Sequence, residues 1–551
     1  MSKDRTSASP YAGRWVAVLR DRVIAQGGTP ELARRAAKAS RHKEKPEIIF
    51  MPASFPLPPL IETVRQALPA DQEIHLVGGA VRDMLLGRVS HDLDFAVPSN
   101  GVSVGRRVAN ALQADYVTLD HERDTGRVIV TGPDGARTLL DFATYRGGAS
   151  IEDDLRGRDL TINAIAYDLR AGTILDPLEG GADLRAKRLR ACSAGAFSDD
   201  PVRVLRAVRL AAALGFQIEP ETRKGMKLAA AALDRVSPER SRDEIFKLLE
   251  GPKPDASMRA LEMLGALPAI LPELPALKGV EQPLPHISDV WTHTLAVLGH
   301  LESILSALRI GFEAKETNDL LTGMLTLKLG RYRNQFADHL SNALNTERSV
   351  RSLLFFAALY HDISKPGTRT SDETGRIRFL GHDEQGAQVA ALRGEALRLS
   401  NDEVERLRVV IANHMRFHFH SSRLEGEGKD PSRRAIYRFF RDAGVAGVDL
   451  VLLGLADLRA VYAHTLRQET WGAALSVARI FLENFWERPQ ESVSPPRLLD
   501  GNELMHELDL PPGPAVGRLL EAIREAQAAG KLDSRTQGLE FARTWLQENP
   551  Q

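Results

Sequence analysis

The stretch EIHLVGGAVRDMLLGRVSHDLDFAV, residues 73–97, decides how this chain is read. An apolar run ends at Gly78-Gly79, and the residues after it repeat apolar positions at helical spacing until Gly87. The pattern is strand, turn, helix. Two glycines between a strand and a helix let backbone N–H groups approach a phosphate at the helix N-terminus. Arg82, in the first helical turn, is placed to reach a triphosphate. HDLDFAV (91–97) then alternates as a second strand, with Asp92 and Asp94 on one face about 6.6 Å apart along the chain. Two carboxylates so placed can hold a pair of Mg²⁺ ions, which would activate an attacking hydroxyl and neutralise a leaving pyrophosphate. The apolar neighbours Leu93, Phe95 and Val97 make that acidic face costly to leave without cations.

Outward from this stretch, TLLDFATYR (138–146) offers a third acid, Asp141, which can join the first two or pair with Arg146. DLRGRDLTINAIAYDL (154–169) opens on Arg158-Asp159 and continues as an apolar helix or strand, burying Asn163, which needs a polar partner. SDDPVRVLRAVRLAAALGF (198–216) reads as a helix capped by Asp199 or Asp200, with Pro201 in its first turn and Gly215 at its end. Arg203, Arg206 and Arg209 form one stripe along it. Asp200 and Arg203 together offer one base an acceptor and a donor fork. That suits the exocyclic amino group and adjacent ring acceptor of cytosine or adenine, and it repels the carbonyl edge of uracil or guanine.

In order, GGAVRD, the DLD strand, the RD-LTINA block, DDPVRVLRAVRLAAALGF and VSPERSRDEIFKLL (236–249) resemble the class II tRNA nucleotidyltransferases and bacterial poly(A) polymerases. The resemblance covers about residues 73–250 and continues more loosely to the end. It implies an α+β fold: a polymerase-beta-like head, an all-α neck that selects the base, and helical body and tail domains that hold tRNA. By motif position it assigns metal binding to Asp92 and Asp94. It assigns nucleotide contacts to Gly79, Arg82, Arg158, Asp200, Arg203, Arg206 and Arg209. Two departures stand out. Gly157 replaces the first arginine of the family's Arg-Arg-Asp. Only GGASIEDDLRG (147–157) bridges Arg146 and Arg158, where CCA-adding members carry a longer flexible loop associated with switching from CTP to ATP. Members that add only CC lack that loop. In this segment Glu152, Asp153 and Asp154 are expected to cap the next helix.

A second cluster lies further on. DVWTHTLAVLGHL (289–301) supplies His293, and the apolar helix LLFFAALY (353–360) runs into His361-Asp362. His382, His414 and Asp457 follow on helical segments. Neutral imidazoles and carboxylates suit a divalent transition metal such as Mn²⁺ or Ni²⁺ that activates water for phosphoester hydrolysis. The order of these residues resembles the HD phosphohydrolases.

Composition sets the frame. Over 551 residues, 72 Lys and Arg against 73 Asp and Glu exclude a uniformly basic nucleic-acid binder. The lone cysteine, Cys192, excludes an intramolecular disulfide framework and fits a reducing compartment. MSKDRTSASPYAGR has no secretory apolar core and no run is long enough to span a bilayer, so a cytoplasmic enzyme without a membrane partner is expected. Residues 1–50 read as a small accessory domain, with strands at Arg14–Leu19 and Val23–Ala25 and a helix opened by Thr29-Pro30. Up to Pro46 it carries 11 Lys and Arg against 4 Asp and Glu, either a solvated helix face or an RNA-facing patch. A Pro-rich linker (51–60), the head (61–192), the neck (193–255), an HD-type helical domain (256–488) and a helical tail (489–551) follow. The tail reads as helix, Pro-Pro-Gly-Pro turn, helix. The expected activity is transfer of CMP and AMP from CTP and ATP to a tRNA 3′ end. The rivals are CC-only addition, poly(A) synthesis on another RNA 3′ end, a phosphohydrolase with an RNA-holding head, and a non-catalytic RNA-binding protein.

Overall fold

The computed structural model describes residues 14–20, 22–39, 44–51, 57–133, 135–147, 150–313, 318–345 and 348–549. The N-terminal stretch read for a signal, Pro52–Pro56 of the Pro-rich segment, part of the basic run before Pro46, and Gly148 lie outside them. The chain forms two compact units, Met1–Ala232 and Leu233–Gln551.

In the first unit, β1 (Arg14–Leu19) sits between β2 (Arg22–Gly27) and β3 (Glu47–Met51) in an antiparallel sheet flanked by α1 (Pro30–Ala39). The Thr29 hydroxyl accepts from the Leu32 N–H at 3.2 Å and opens α1 as the sequence predicts. β3 is not visible in the sequence pattern, and Met51, expected in the linker, is its last residue. α2 (Pro59–Ala67) likewise begins inside the expected linker. Trp15 Nε1 donates to the Ile174 carbonyl at 3.1 Å, and Arg14 pairs with Asp176 and Glu179. The small sheet is therefore docked on the one that follows it.

That larger sheet has seven strands in the order β10-β9-β4-β5-β8-β7-β6. They are β4 (His75–Val77), β5 (Asp92–Val97), β6 (Asp115–Asp120), β7 (Thr125–Thr131), β8 (Arg137–Thr144), β9 (Ala166–Asp168) and β10 (Thr173–Leu175). β5 and β8 are parallel and the other pairs antiparallel. α3 (Gly79–Leu85) follows β4 through Gly78, and α4 (Gly101–Leu112) packs on β7 and β8. Along β5 the alternation sends Leu93, Phe95 and Val97 into the core, where Phe95 stacks on Phe142 at 4.9 Å. The same alternation turns Asp92 and Asp94 to the opposite face. Register then places Asp94 beside Asp141, and Arg127 beside Asp141 on the far side.

After β8, α5 (Ile151–Arg156) is capped by Ser150, whose hydroxyl accepts from the Asp153 N–H. The three acids expected to cap it fill its first turn instead. The 154–169 block, read as one helix or strand, is the end of α5, a 3₁₀ turn (Thr161–Asn163) and β9. α6 (Gly180–Arg185) and the short parallel pair β11 (Arg188–Leu189) and β12 (Gln217–Ile218) lead around to α7 (Ala196–Asp199), α8 (Arg203–Leu214) and α9 (Pro220–Ala229). The expected helix over 198–216 is thus two helices. Neither Asp199 nor Asp200 caps α8: Asp199 ends α7, and the Asp200 carbonyl accepts from the Arg203 N–H across the Pro201 turn. Gly215 closes α8 in the left-handed region, at φ +69°, as expected.

The second unit is almost wholly helical. Its core gathers Trp471, Phe417, Phe439 and Phe481, the last two stacked at 4.3 Å. The tail has the expected helices, Gly501–Leu508 and Pro514–Ala528, and a third, Arg535–Glu548, absent from the sequence reading. They close over Leu504, Leu519 and Ile523, while Glu525 pairs with Arg434 and Arg438 of the helix Arg433–Ala443. No helix among the described residues is long and apolar enough to cross a membrane.

Candidate active sites

The sheet register brings Asp92, Asp94 and Asp141 together, one carboxylate oxygen of each within 4.8 Å of the others. Burial pushes the Asp94 carboxyl up; Arg158 opposes this, and the neighbouring Asp92 and Asp141 add to it. The three carboxylates could together hold a metal ion. Asp141 joins the cluster, but its partner is Arg127, bidentate at 2.7 and 2.8 Å, and not Arg146. Arg146 instead donates its backbone N–H to Asp154.

Gly78, at φ +75°, lies between Asp94 and Arg158: a Cβ there would stand 2.9 Å from Asp94 Oδ2 and 3.2 Å from Arg158 Nη1. The glycine thus keeps acid, guanidinium and the α3 N-terminus in one place. Gly79 opens α3, and Arg82, three residues on, is buried. Arg82 donates to Asn163 Oδ1 at 2.8 Å and to both Asp83 oxygens, so three of its five N–H donors already have partners. Asn163 finds the partner that its burial demands, and it passes the link on to Asp159 at 3.1 Å.

The arginine stripe of α8 meets the same turn. Arg203 donates to the carbonyls of Ala196 and Gly157 at 3.0 Å each, with its Nε 3.9 Å from Asp200 Oδ2. Arg206 Nε lies 2.8 Å from Asp159 Oδ2. Burial would raise the Asp159 carboxyl, but Arg206 and the Asn163 and Leu160 donors outweigh it and hold it below its ordinary value. Arg209 continues the stripe, half-buried, one turn further. Arg127 and Asp154 (which holds Arg158 at 2.8 Å) were missed in the sequence. Only the pairing of β7 with β8 and the start of α5 reveal them.

In the second unit His293, His361, Asp362, His382, His414 and Asp457 converge, all buried. They fall into two donor sets, His293 with His361 and Asp457, and Asp362 with His382 and His414. Asp362 stands between them. Its Oδ2 is 3.2 Å from His361 Nε2 and 3.6 Å from His293 Nε2, and its Oδ1 is 3.5 Å from His382 Nε2 and 3.9 Å from His414 Nε2. The contacts are close but poorly aligned as hydrogen bonds. His293 Nε2 lies 3.0 Å from Asp457 Oδ1, while His293 Nδ1 and His361 Nε2 are buried without a hydrogen-bond partner. Imidazole and carboxylate atoms gathered within 4.8 Å of one another in each set could hold metal ions. Burial and the adjacent His361 push His414 down to about 3, which keeps its ring neutral for ligation. Nδ1 of His361, His382 and His414 each face a backbone carbonyl at 2.7–2.8 Å, which fixes the tautomer that offers Nε2. The structure adds His418, 2.7 Å from Asp457, and Lys365, whose Nζ is 2.7 Å from Asp362 Oδ2. Their signals were the His414–His418 helical spacing and a lysine three residues after the His-Asp doublet.

Residues 74–190 match the Poly A polymerase head domain, residues 215–277 the probable RNA and SrmB-binding site of polymerase A, and residues 290–439 the HD domain. The CC-adding tRNA nucleotidyltransferase of Thermus thermophilus is 33% identical over 477 residues, covering 85% of this chain and 93% of that one. The chain belongs to the tRNA nucleotidyltransferase family. Another member, the A-adding tRNA nucleotidyltransferase of Deinococcus radiodurans, is also 33% identical, over 86% of this chain and 96% of its own. The structure of the Thermotoga maritima CCA-adding enzyme complexed with tRNA shares the fold, with a TM-score of 0.53 at 19% identity over 90% of this chain and 97% of that one. As a family member the chain is an enzyme, an α+β nucleotidyltransferase with an HD domain.

Proposed function

We propose that the enzyme transfers CMP and then AMP from CTP and ATP to the 3′ end of tRNA. The observation that carries this is the joint placement of the Asp92/Asp94 face, the Gly78-Gly79 turn and the α8 stripe around the Arg158-Asp159 turn. Asp92 and Asp94 would hold Mg²⁺, which when bound neutralises the triphosphate and activates the attacking RNA hydroxyl. Arg158, beside Asp94 and fixed by Asp154, contacts the triphosphate, with the Gly79 N–H and the remaining donors of Arg82 behind it. Arg206, through Asp159, holds that turn in place, and Arg209 extends the positive edge toward the RNA. Asp200 accepts from the amino group of cytosine or adenine and Arg203 donates to the ring acceptor. Arg203 is already anchored on two carbonyls, so its fork is preorganised.

A second reading, CC-only addition, is favoured by one observation. α5 begins at Ile151, capped by Ser150, so the connection after Arg146 is shorter than the sequence alone suggests. Efficient transfer of one AMP to a tRNA ending in CC would reject that reading, and failure there beside efficient CMP transfer would establish it.

For the HD centre we infer metal-dependent phosphoester hydrolysis with Mn²⁺, Ni²⁺ or a similar ion. His293, His361 and Asp457 would hold one ion and Asp362, His382 and His414 a second, and the ions when bound would supply an activated water. Elemental analysis of protein loaded with Mn²⁺ should then find about two ions per chain. Retention of none, with no hydrolysis over a panel of divalent ions, would reduce the cluster to structure. The domain divisions expected from the sequence are kept as our proposal for how these activities are distributed.

A further inference from the structure

The sheet face that carries the acids does not end at Asp141. Register continues the row from Asp94 through Asp141 and Arg127 to Val117 on β6, the edge strand. The row beside it runs from Asp92 through Leu139 to Ile129. α4 covers the opposite face, where a Cβ on Gly105 would stand 3.3 Å from both Phe142 and Tyr116. On the acid face Val117 is 48% exposed and Leu119, two residues on, 45%. Exposed apolar side chains on an edge strand invite unwanted pairing, and a ligand accounts for their place beside a reactive centre. Arg127 stands between them and the acids. Its Nε and Nη2 donate to the two oxygens of Asp141, which uses two of its five N–H groups and leaves three for another acceptor. The side chain is 32% exposed, so such an acceptor can reach it.

Strand order fixes the side of the acids on which this strip lies. β4, which leads into the Gly78-Gly79 turn, is on one side of β5, and β8, β7 and β6 are on the other. In nucleotidyl transfer the RNA 3′-oxygen bonds to the α-phosphorus while the bond to pyrophosphate breaks on the opposite side. Pyrophosphate leaves with the electron pair, and the hydroxyl proton passes to solvent. With the triphosphate at the Gly78-Gly79 turn, the attacking RNA end comes from the β7 side. We propose that Arg127 and the strip beyond it form the acceptor subsite. Arg127 donates to the last internucleotide phosphate of the RNA, and Val117 and Ile129 lie against the terminal ribose. Held by Asp141, the guanidinium is a preorganised donor, and a phosphate oxygen is the acceptor that suits it. An apolar floor suits a sugar that must be held whatever base it carries, as a growing end requires. This rests on the reading of the Asp92/Asp94 face as the transfer centre and of the Gly78-Gly79 turn as the triphosphate side.

The test uses the full chain with Mg²⁺, CTP and a synthetic acceptor-stem RNA lacking CCA, made with either a normal or an uncharged methylphosphonate linkage before its last nucleotide. The wild type should lose roughly tenfold on the uncharged RNA, expressed in the KM for RNA. Arg127→Ala should be weaker on the normal RNA and indifferent to the change of linkage, the coupling expected of a direct contact. If Arg127 only holds Asp141 in place, the penalty persists at full size in the variant, and the inference is overturned. A wild type without any penalty overturns it too. Where Arg127→Ala gives no measurable transfer, two variants at the exposed edge position decide the matter. Val117→Glu should raise the KM for RNA and Val117→Lys lower it, by roughly two- to threefold each, with the KM for CTP unchanged. Movement of both in one direction, or of neither, contradicts the acceptor subsite. A wild type that adds no CMP to the normal RNA removes the transfer reading itself, and this inference with it.

Discussion

Asp94 is held where burial and two neighbouring carboxylates raise its pKa, with Arg158 the nearest counterweight. A carboxylate in that position is maintained by what it binds. Asp94→Ala, and equally Asp92→Ala, should therefore lower nucleotide addition by at least about 10²-fold while circular dichroism stays native. Near-native incorporation by a folded variant would take the head out of the mechanism. Asp200→Ala removes the amino-group acceptor but leaves Arg203 anchored on the Ala196 and Gly157 carbonyls, so incorporation of UTP or GTP should rise relative to CTP. Unchanged discrimination would refute templating by the protein. The single-residue chemistry was the part most open to sequence reading. Asp92 and Asp94 announce themselves by alternation, and the HD donors by residue type. Arg127 does not, because it acts on Asp141, which the pairing of β7 with β8 brings near.

At the scale of elements, the second unit is held in part by a buried junction. Glu403 is fully buried, accepts from Arg348 at 2.7 and 3.0 Å, and closes a capping box with Ser400. Burial alone would raise its pKa, but Arg348 and Ser400 outweigh that and lower it. Its stabilisation is therefore present at neutral pH and is lost as pH falls below the ordinary glutamate range. Glu403→Ala leaves the buried Arg348 guanidinium with Asp243, 3.9 Å from its Nη1, as its remaining carboxylate and should destabilise the unit by about 3 kcal/mol in denaturant unfolding; a change under about 1 kcal/mol would show that Asp243 or water takes over the pairing. Element ends were the least legible feature. The stretch 198–216 has unbroken helical periodicity, yet Pro201 lacks the N–H to continue α7 and disfavours helical backbone at Asp200. The chain therefore turns, and α8 starts at Arg203. That break puts Asp200 in extended backbone between the two helices, with Oδ2 3.9 Å from Arg203 Nε. β3 escaped notice because EIIFM (47–51) is followed by prolines, a composition that reads as linker.

On the scale of the whole molecule, two centres use disjoint donors: carboxylates on a sheet, and imidazoles with carboxylates among helices. His361→Ala should abolish transition-metal binding and phosphoester hydrolysis while sparing nucleotide addition, because no residue is shared. A parallel loss of both activities in a folded variant would contradict that separation. The family and the α+β order were legible because the head motifs are local and ordered along the chain. The number of nucleotides added was not: a CC-adding and an A-adding relative are each 33% identical to the chain. The most direct test of the account presents the purified full chain, with Mg²⁺, to tRNA lacking its terminal CCA and to tRNA ending in CC, and reads product length with labelled CTP and ATP. The account predicts two cytidines and one adenosine on the first and one adenosine on the second. Incorporation of neither nucleotide into either RNA would contradict it.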